Sequence, residues 1–506
     1  MRVKFALKNT LASVLVEIFT AISGIILPRY FISLYGSSIN GLVSSIGQFI
    51  TYMGLVEAGV SAAATVELYK PLADNNYIKI NEIISAAKGF YLKSGLLFII
   101  LDIILIIGYP YIIRNEIADI SFVRIMILVL SLNGMVDYFL LGKYRVLLVA
   151  DQKTYIIALA QSVGTIVTLF VSVLLITLNC SPILVKGVVA VVYLLRTFYV
   201  IIYVKRNYHF INFNSYYSPK VFPQRHSALF HQIVGMICNN TDIVLLTLML
   251  LNNALIEVSV YSAYNMIAAN LTSLFNSISK GLSASFGNII AKEDTESLEK
   301  SFNYFEFLYF ILLFIVYTCM AVLMFSFISL YTSTFADAES YIRWNLVILF
   351  TTCGIVQNIR IPGCTVQIAA GHFKQTQKAA MIEAILNFGI SIILVRFIGI
   401  TGVLLGTIVA YLYRSTYAII YNARHFLPKS LKRTIFRIFR NLIFFGIITA
   451  LGIFYLIPYI QSWLTWILCA TLLFIITTLA FFLLNFILEP QMIRKYVQYI
   501  KIIRNN

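Results

Sequence analysis

Apolar stretches of membrane length follow one another from one end of this chain to the other. "GLLFIILDIILIIGYPYII" (residues 95–113) and "WLTWILCATLLFIITTLAFFLLNFIL" (463–488) are two of them. In hydrocarbon every backbone N–H and C=O must find its partner within the chain, so runs of ~20 apolar residues can only be helices that span a bilayer. Cutting at polar, Pro and Gly punctuation gives about fourteen such helices. They lie near 10–34, 40–69, 90–112, 122–149, 153–178, 183–204, 228–251, 257–290, 302–330, 340–370, 377–397, 401–423, 436–459 and 462–488. With 60% hydrophobic and 12% charged residues, too little polarity is left for a solvated multidomain surface. The expected fold is an all-α polytopic membrane protein.

The formal charge of +17 comes from short Lys/Arg clusters between apolar runs, without a basic domain or an RNA-binding signature, so no nucleic-acid partner is implied. With the N-terminus placed in the cytoplasm, that side collects Arg2/Lys4/Lys8, Lys70/Lys79/Lys88/Lys93, Lys143/Arg145/Lys153, Lys205/Arg206/Lys220/Arg225, Lys292/Lys300, Lys374/Lys378, the run Arg424 to Arg440, and Arg494/Lys495/Lys501/Arg504. The other side keeps little beyond Arg114 and Arg396. The positive-inside rule then places both termini in the cytoplasm. Outer loops are at most about a dozen residues, too short for an external catalytic domain, which weighs against a membrane polymerase or ligase. The first apolar run is too long for a signal-peptide core and is expected to be retained. Six scattered cysteines and one histidine pair, His226 and His231, on different helix faces indicate neither a disulfide framework nor a metal site.

The chain repeats itself. Tyr193, Leu194, Arg196, Tyr199, Ile201, Ile202, Tyr203 and Arg206 match Tyr411, Leu412, Arg414, Tyr417, Ile419, Ile420, Tyr421 and Arg424, an offset of 218 from Arg196 to Arg414. Almost the same offset lays "NGLVSSIGQFI" (40–50) over "EVSVYSAYNMI" (257–267). Helices 4 and 10 each end in a small-residue break, "VADQK" and "AAGHFK", with Arg124 and Arg343 at their starts. Six helices per unit is even, so the two pseudo-symmetric lobes run parallel, a transporter architecture with the substrate expected between them. The expected division is 1–207, an N-terminal six-helix lobe; 208–227, a cytoplasmic linker; 228–425, a C-terminal six-helix lobe; and 426–506, a basic linker, helices 13 and 14 as an added pair, and a tail.

An ionised side chain at the bilayer centre costs roughly 2.5–3.5 kcal/mol on insertion scales, so each needs a partner or water. The intramembrane set is Arg29, Glu57, Asp102, Asp137, Arg196, Asp242, Lys280, Arg360, Glu383 and Arg414. Interhelical pairing accounts for any one of them as readily as function does, and clustering separates the two. Helix 8 carries Asn270, Ser273, Ser277 and Lys280 at spacings of 3, 4 and 3, with Asn265, Thr272, Asn276, Ser279 and Ser283 beside them, a face too polar for lipid. Helix 2 carries Glu57, Ser61 and Thr65, and helix 7 carries Asn240 and Asp242 within "CNNTD". A water-filled cavity bounded by helices 2, 7 and 8 fits this pattern better than Ser- and Asn-mediated packing. Arg29 after Pro28, and Arg360 before Pro362-Gly363 at an expected kink, are further candidates. Arg196 and Arg414, equivalent by symmetry, are expected to pair with acids on neighbouring helices.

"INGLVSSIGQFITYMGLVEAGVSAAATVELYKPLADNN" (39–76) and "INEIISAAKGFY" (80–91) resemble the N-terminal signature of the polysaccharide-biosynthesis flippases, within the multidrug/oligosaccharidyl-lipid/polysaccharide exporter superfamily. "NTDIVLLT" (240–247) and "VSVYSAYNMI" (258–267) resemble its corresponding second-lobe helices. The resemblance implies alternating-access export of an undecaprenyl-diphosphate-linked oligosaccharide, an O-antigen or capsule repeat unit, across the bacterial inner membrane. It implies cavity charges at Arg29 and Lys280, no bond chemistry and no cofactor, with Na⁺ or H⁺ as candidate coupling ions. Its partners would be the lipid-linked glycan and membrane lipids, with a polysaccharide polymerase and a chain-length regulator as protein partners. Glu57 and Asp242 depart from a purely cationic cavity. They keep open a cation-coupled drug or metabolite exporter of the same superfamily as the alternative.

Overall fold

The computed structural model describes residues 2–57, 60–216, 225–250 and 252–492, without the side chains at 2–7, 60, 62, 225–232, 234, 238, 239, 280, 284 and 339. Among the described residues there is no strand. Two units are separated by contact, Met1–Ser262 and Ala263–Asn506.

The first unit holds α1 (Arg2–Tyr35), α2 (Ser37–Met53), α3 (Val60–Ala73), α4 (Tyr77–Ile112), α5 (Ile120–Val136), α6 (Gly142–Ala150), α7 (Thr154–Thr177), α8 (Pro182–Asn207), α9 (Arg225–Met249) and the start of α10 (Ala254–Ala291). The second holds the rest of α10, then α11 (Thr295–Thr332), α12 (Trp344–Ile359), α13 (Ile361–Ala369), α14 (Phe373–Ile398), α15 (Ile400–His425), α16 (Ser430–Leu456) and α17 (Trp463–Leu488). A helix is present at each of the fourteen expected positions. Helix 2 comprises α2, which runs into a 3-10 turn at Gly54–Glu57, and α3; helix 4 is α5 and α6 joined by a π-helical turn at Asp137–Leu141, and helix 10 breaks at Arg360 into α12 and α13.

Among the described residues, twelve of these helices are long and apolar enough to cross a membrane. The chain is a multi-pass membrane protein. In α9 the described side chains form an apolar stretch at Asn240–Met249, and in α10 a Ser/Asn stripe lowers the hydropathy. At ~1.5 Å per residue the 38-residue α10 is about 57 Å long, well beyond a ~30 Å hydrocarbon core.

The helix ends carry the repeat more plainly than the helices do. All eight described residues with positive φ sit between helices, and they fall into four pairs: Gly36 with Asn253, Asn75 with Glu293, Gln152 with Gly371, and Asn179 with Gly399. Their separations, 217 to 220 residues, are those of the sequence repeat. The N-caps follow: the Asn76 side chain accepts from Lys79 N at 3.1 Å to start α4, and Asp294, 218 residues later, accepts from Ser297 N at 2.9 Å to start α11. The Asp294 carboxyl is held below its usual range, first by its bonds to Ser297.

Within the first unit α2 meets the start of α10 so closely that a Cβ on Gly41 would lie 1.8 Å from Leu255 O. Asn40 Nδ2 donates to Ser259 Oγ at 2.8 Å, and Ser45 shares a hydrogen bond with Thr247 Oγ1 at 2.8 Å while accepting from Tyr109. The second unit is organised on α11: 72% of its most apolar stretch is buried, against 6% for α16, which identifies α11 as the enclosed helix.

The added pair, α16 and α17, is locked to α11 by charge. Arg437, 0% exposed, donates from Nη1 to Glu306 Oε2 of α11 at 3.0 Å and from Nη2 to Asn303 Oδ1 at 2.7 Å. Glu306 Oε1 also accepts from Thr434 Oγ1 at 2.5 Å. From position alone Arg437 and Arg440 group with the solvated cytoplasmic cations; the structure instead buries both.

Candidate functional site

In the first unit the polar cluster is built on the interrupted helix 4. A π turn adds a residue to the helical register, a feature frequent at functional sites. Here it leaves Asp137 and Arg145 ion-paired across the turn. Tyr193 of α8 donates to Asp137 Oδ1 at 2.6 Å, and the Arg196 guanidinium stacks 3.9 Å from the centroid of the Tyr193 ring. Arg196 is therefore held by an aromatic ring that is itself bonded to an acid. On the facing side Tyr91 of α4 donates to Glu57 Oε1 at 2.7 Å. Ser61 lies beside the same hydroxyl, and Arg145 acts electrostatically on Glu57. The Glu57 turn is fixed from outside by Ser94, which donates to Val56 O at 3.1 Å, and by Tyr138, which donates to Gly54 O at 3.3 Å.

A second group in this unit surrounds α9. Asp242, 8% exposed, accepts from Tyr261 of α10 at 2.7 Å, and Thr241 shares a 2.7 Å hydrogen bond with Tyr52 of α2. Tyrosines thus pin the "CNNTD" segment to both of its expected neighbours, helices 2 and 8. Asn240 is half-buried beside it. Arg29 is half-buried on α1, on the residue after Pro28.

In the second unit the polar stripe of α10 divides in two. Thr272 bonds Gln357 and Asn358 of helix 10 at 3.3 Å each, and Asn358 donates on to Tyr317 of α11 at 2.9 Å. Asn270 donates back to Met266 O at 2.8 Å, while Ser273, Asn276 and Ser277 are exposed. The Lys280 side chain lies outside the described residues.

Arg360 stands at the break in helix 10 and is ion-paired with Glu383 of α14. Arg414 of α15 reaches the same carboxylate, Nε to Oε2 3.6 Å, so one acid serves two cations. The Tyr411 ring lies 4.8 Å from the Arg360 guanidinium, and its hydroxyl accepts from Gln357 Nε2 at 3.3 Å. Arg414 therefore pairs with an acid on a neighbouring helix, as expected of both repeated arginines, whereas its counterpart Arg196 is held by the Tyr193 ring of its own helix.

The two clusters follow one plan. In each, a tyrosine three residues before the repeated arginine is bonded near the break in the other helix: Tyr193 to Asp137, which opens the π turn of helix 4, and Tyr411 to Gln357, three residues before the break at Arg360 in helix 10. In each, an arginine of the broken helix, Arg145 or Arg360, is ion-paired. Arg145 and the tyrosines Tyr91, Tyr193 and Tyr411 are the members that sequence reasoning passes over. The signal for the last two was the first letter of the repeated Tyr-Leu-x-Arg. Among the described residues no group of three or more His, Cys, Asp or Glu side chains could hold a metal ion.

No family model matches the sequence, and no curated protein matches it. Solved structures share the fold. A structure described as the lipid II flippase MurJ in an inward closed conformation superposes with a TM-score of 0.66 at 16% identity, covering 94% of this chain and 98% of that one. A multidrug resistance MATE family transporter of the MOP superfamily, inward-facing, gives 0.57 at 12% identity over 84% and 96%. The eukaryotic MATE transporter AtDTX14 gives 0.55 at 13% over 85% and 99%. At these identities the likeness establishes the fold.

Proposed function

We propose that the protein is a flippase that carries an undecaprenyl-diphosphate-linked oligosaccharide repeat unit, of the O-antigen or capsule kind, from the inner to the outer leaflet of a bacterial cytoplasmic membrane by alternating access. The observation that carries this reading is the extent of the MurJ likeness, 94% of the chain against 84–85% for the MATE transporters. The shortfall is the size of residues 426–506, which hold the added helices α16 and α17 and make up 81 of 506 residues, or 16%. A fold shared along 94% of this chain with a structure described as the lipid II flippase MurJ supports a lipid-linked substrate.

Within this proposal Arg29, Lys280 and Arg360 are the cations offered to the diphosphate, and Glu57, Ser61, Asn240, Asp242, Asn270, Ser273 and Ser277 are the polar groups offered to sugar. Guanidinium and ammonium groups replace the hydration that a diphosphate loses on entering a cavity. Both termini face the cytoplasm, and the protein partners are a polysaccharide polymerase and a chain-length regulator.

Deleting the gene should abolish surface polysaccharide while lipid-linked repeat units accumulate in the cytoplasmic leaflet. Normal surface glycan in the deletant defeats the proposal. The second reading, a cation-coupled multidrug or metabolite exporter, draws on the MATE likeness and on the buried carboxylate of Asp242. It predicts unchanged glycan and a gain in drug sensitivity, so one deletion strain decides between the two.

A further inference from the structure

Where α4, α6 and α8 come together in the first unit, on the side that the charge pattern assigns to the cytoplasm, there is a cavity of ≈ 520 Å³. This is the range of small-molecule sites, not of a surface dimple. Lys88 of α4, Lys143 of α6 and Lys205 of α8 line it, with His209, Asn212, Asn214, Tyr144 and Phe213 among the remaining walls. Among the described residues no carboxylate lines it.

Like charges are normally kept apart, so three lysines around one cavity call for an explanation. Lys205 lies in the last turn of α8, where the helix dipole favours a cation, but Lys143 is the second residue of α6, at the end where it does not. Lys88 lies eleven residues inside α4 and gains nothing from a helix end. Asp151, the acid bonded to the lining residue Tyr208, is already committed: it is paired with Lys153 at 2.8 Å and accepts from the Tyr208 hydroxyl at 2.5 Å. Two of the ammonium groups are positioned rather than loose. Lys88 Nζ donates to Asn214 Oδ1 at 2.8 Å, and Lys143 Nζ lies 5.3 Å from both the Tyr144 and Phe213 ring centroids.

The outer wall is also built in place. Residues 208–216 leave α8 and lie along α4, where Asn81 donates to Phe210 O at 2.9 Å and accepts from Asn212 N at 2.8 Å. Ser85 donates to Asn212 O at 3.1 Å and accepts from Ser215 N at 3.0 Å. Phe213 packs edge-on against Tyr144 at 5.1 Å between centroids. The cavity is therefore held open by hydrogen bonds that use none of the three lysines except through Asn214.

We propose that this cavity is a binding site for a phosphate-bearing anion, separate from the transport site. Three ammonium groups, the amides of Asn212 and Asn214 and the imidazole of His209 supply donors for phosphate oxygens. Two sources present this chemistry at a membrane interface: the headgroup of an anionic phospholipid and a soluble phosphate or diphosphate.

The full-length protein in nanodiscs separates the sources. One arm titrates pyrophosphate into protein in phosphatidylcholine discs; the other compares phosphatidylcholine discs with discs containing phosphatidylglycerol, reading thermal stability in both. Wild type should be stabilised in at least one arm, and K88Q/K143Q/K205Q should weaken that response more than about tenfold in apparent affinity, with 0.5 M salt eroding it in wild type. Stabilisation by pyrophosphate identifies a soluble anion, and stabilisation by phosphatidylglycerol alone identifies the headgroup. The charge-preserving K88R/K143R/K205R and the single K88Q guard against a triple variant that fails to fold. Equal responses in wild type and the Gln variants, or no response to either anion, overturn the proposal.

Discussion

Arg437 of α16 and Glu489, the residue that caps α17, form a link within the added helix pair: Nη2 lies 2.5 Å from Oε2, and Nε lies 3.1 and 3.2 Å from the two carboxylate oxygens. The same arginine holds Glu306 of α11, so one side chain joins three helices. Replacing Arg437 with Met leaves Glu306 without its cation in a fully enclosed site, at a cost of about 3–5 kcal/mol. A clear fall in thermal unfolding temperature of the detergent-solubilised variant, and lower membrane yield, are the expected readings.

The same link makes stability depend on acid. Burial pushes the Glu489 carboxyl up, but the bonds and charges of Arg437 and Arg440 outweigh it and hold the group below the usual carboxylate range. A folded-state value below the unfolded one means that the stabilisation is complete at neutral pH. It is lost as pH falls through that lowered value. Unfolding temperature measured between pH 7 and pH 3 should drop more steeply in wild type than in Glu489→Gln.

For transport, Glu57→Gln is the informative change, because the amide oxygen can still accept from Tyr91 and only the charge is lost. Under the flippase proposal it retains export, and under the cation-coupled reading it abolishes export. Arg29→Ala and Lys280→Ala should each lower export about tenfold, the worth of one charge-assisted bond of ~1.4 kcal/mol, at unchanged protein level. Surface glycan measured against protein quantity by immunoblot checks the flippase outcomes, and drug sensitivity of the Glu57→Gln strain checks the loss of export under the cation-coupled reading.

Gly41→Ala tests the close approach of α2 and α10. The added methyl would stand 1.8 Å from Leu255 O, which is backbone and cannot swing aside. The helices must separate, with a loss of about 1–3 kcal/mol read as a lower unfolding temperature. Gly36, with no atom within 4 Å of its added Cβ, is the matched comparison for crowding, though its positive φ carries a strain of its own.

Glu293→Gly should do the opposite. Glu293 holds φ 54 between α10 and α11, a conformation that costs a residue with a Cβ roughly 1–2 kcal/mol. Glycine relieves that strain and gives back part of the gain in unfolded-chain entropy, for a net rise of about 0.5–1 kcal/mol. The unfolding temperature of the variant should exceed that of wild type by a small, reproducible margin.

The helices were legible because the bilayer leaves few alternatives: apolar runs of ~20 residues have one stable form. The repeat was legible from Tyr193 and Tyr411 because side chains at i and i+3 share a helix face, and that face keeps its tyrosine and arginine in both units. Charge partners were harder. Arg145 and Arg437 each stand near a helix end, where a sequence shows a cation but not whether it is solvated or turned inward. Glu383 gave no sign that it would serve both Arg360 and Arg414, because the three lie on three different helices and only tertiary packing unites them. The breaks in helices 2 and 4 had no proline to announce them. They coincide with Glu57 and Asp137, the acids of the first cluster.

The cations of the two clusters occupy matching helices, Arg145 and Arg360 on helices 4 and 10, and Arg196 and Arg414 on helices 6 and 12. Their acids do not: Asp137 lies on helix 4 itself, whereas Glu383 lies on helix 11. The halves are therefore no longer spare copies of each other. A recombinant chain carrying the helix 10 to 12 segment twice would be internally balanced, but one that exchanged only helix 4 for helix 10 would import an arginine and leave its counterion behind. Domain-shuffling experiments on this protein have to move whole charge sets, and the seams that allow it are the four left-handed turns that the two halves hold in common.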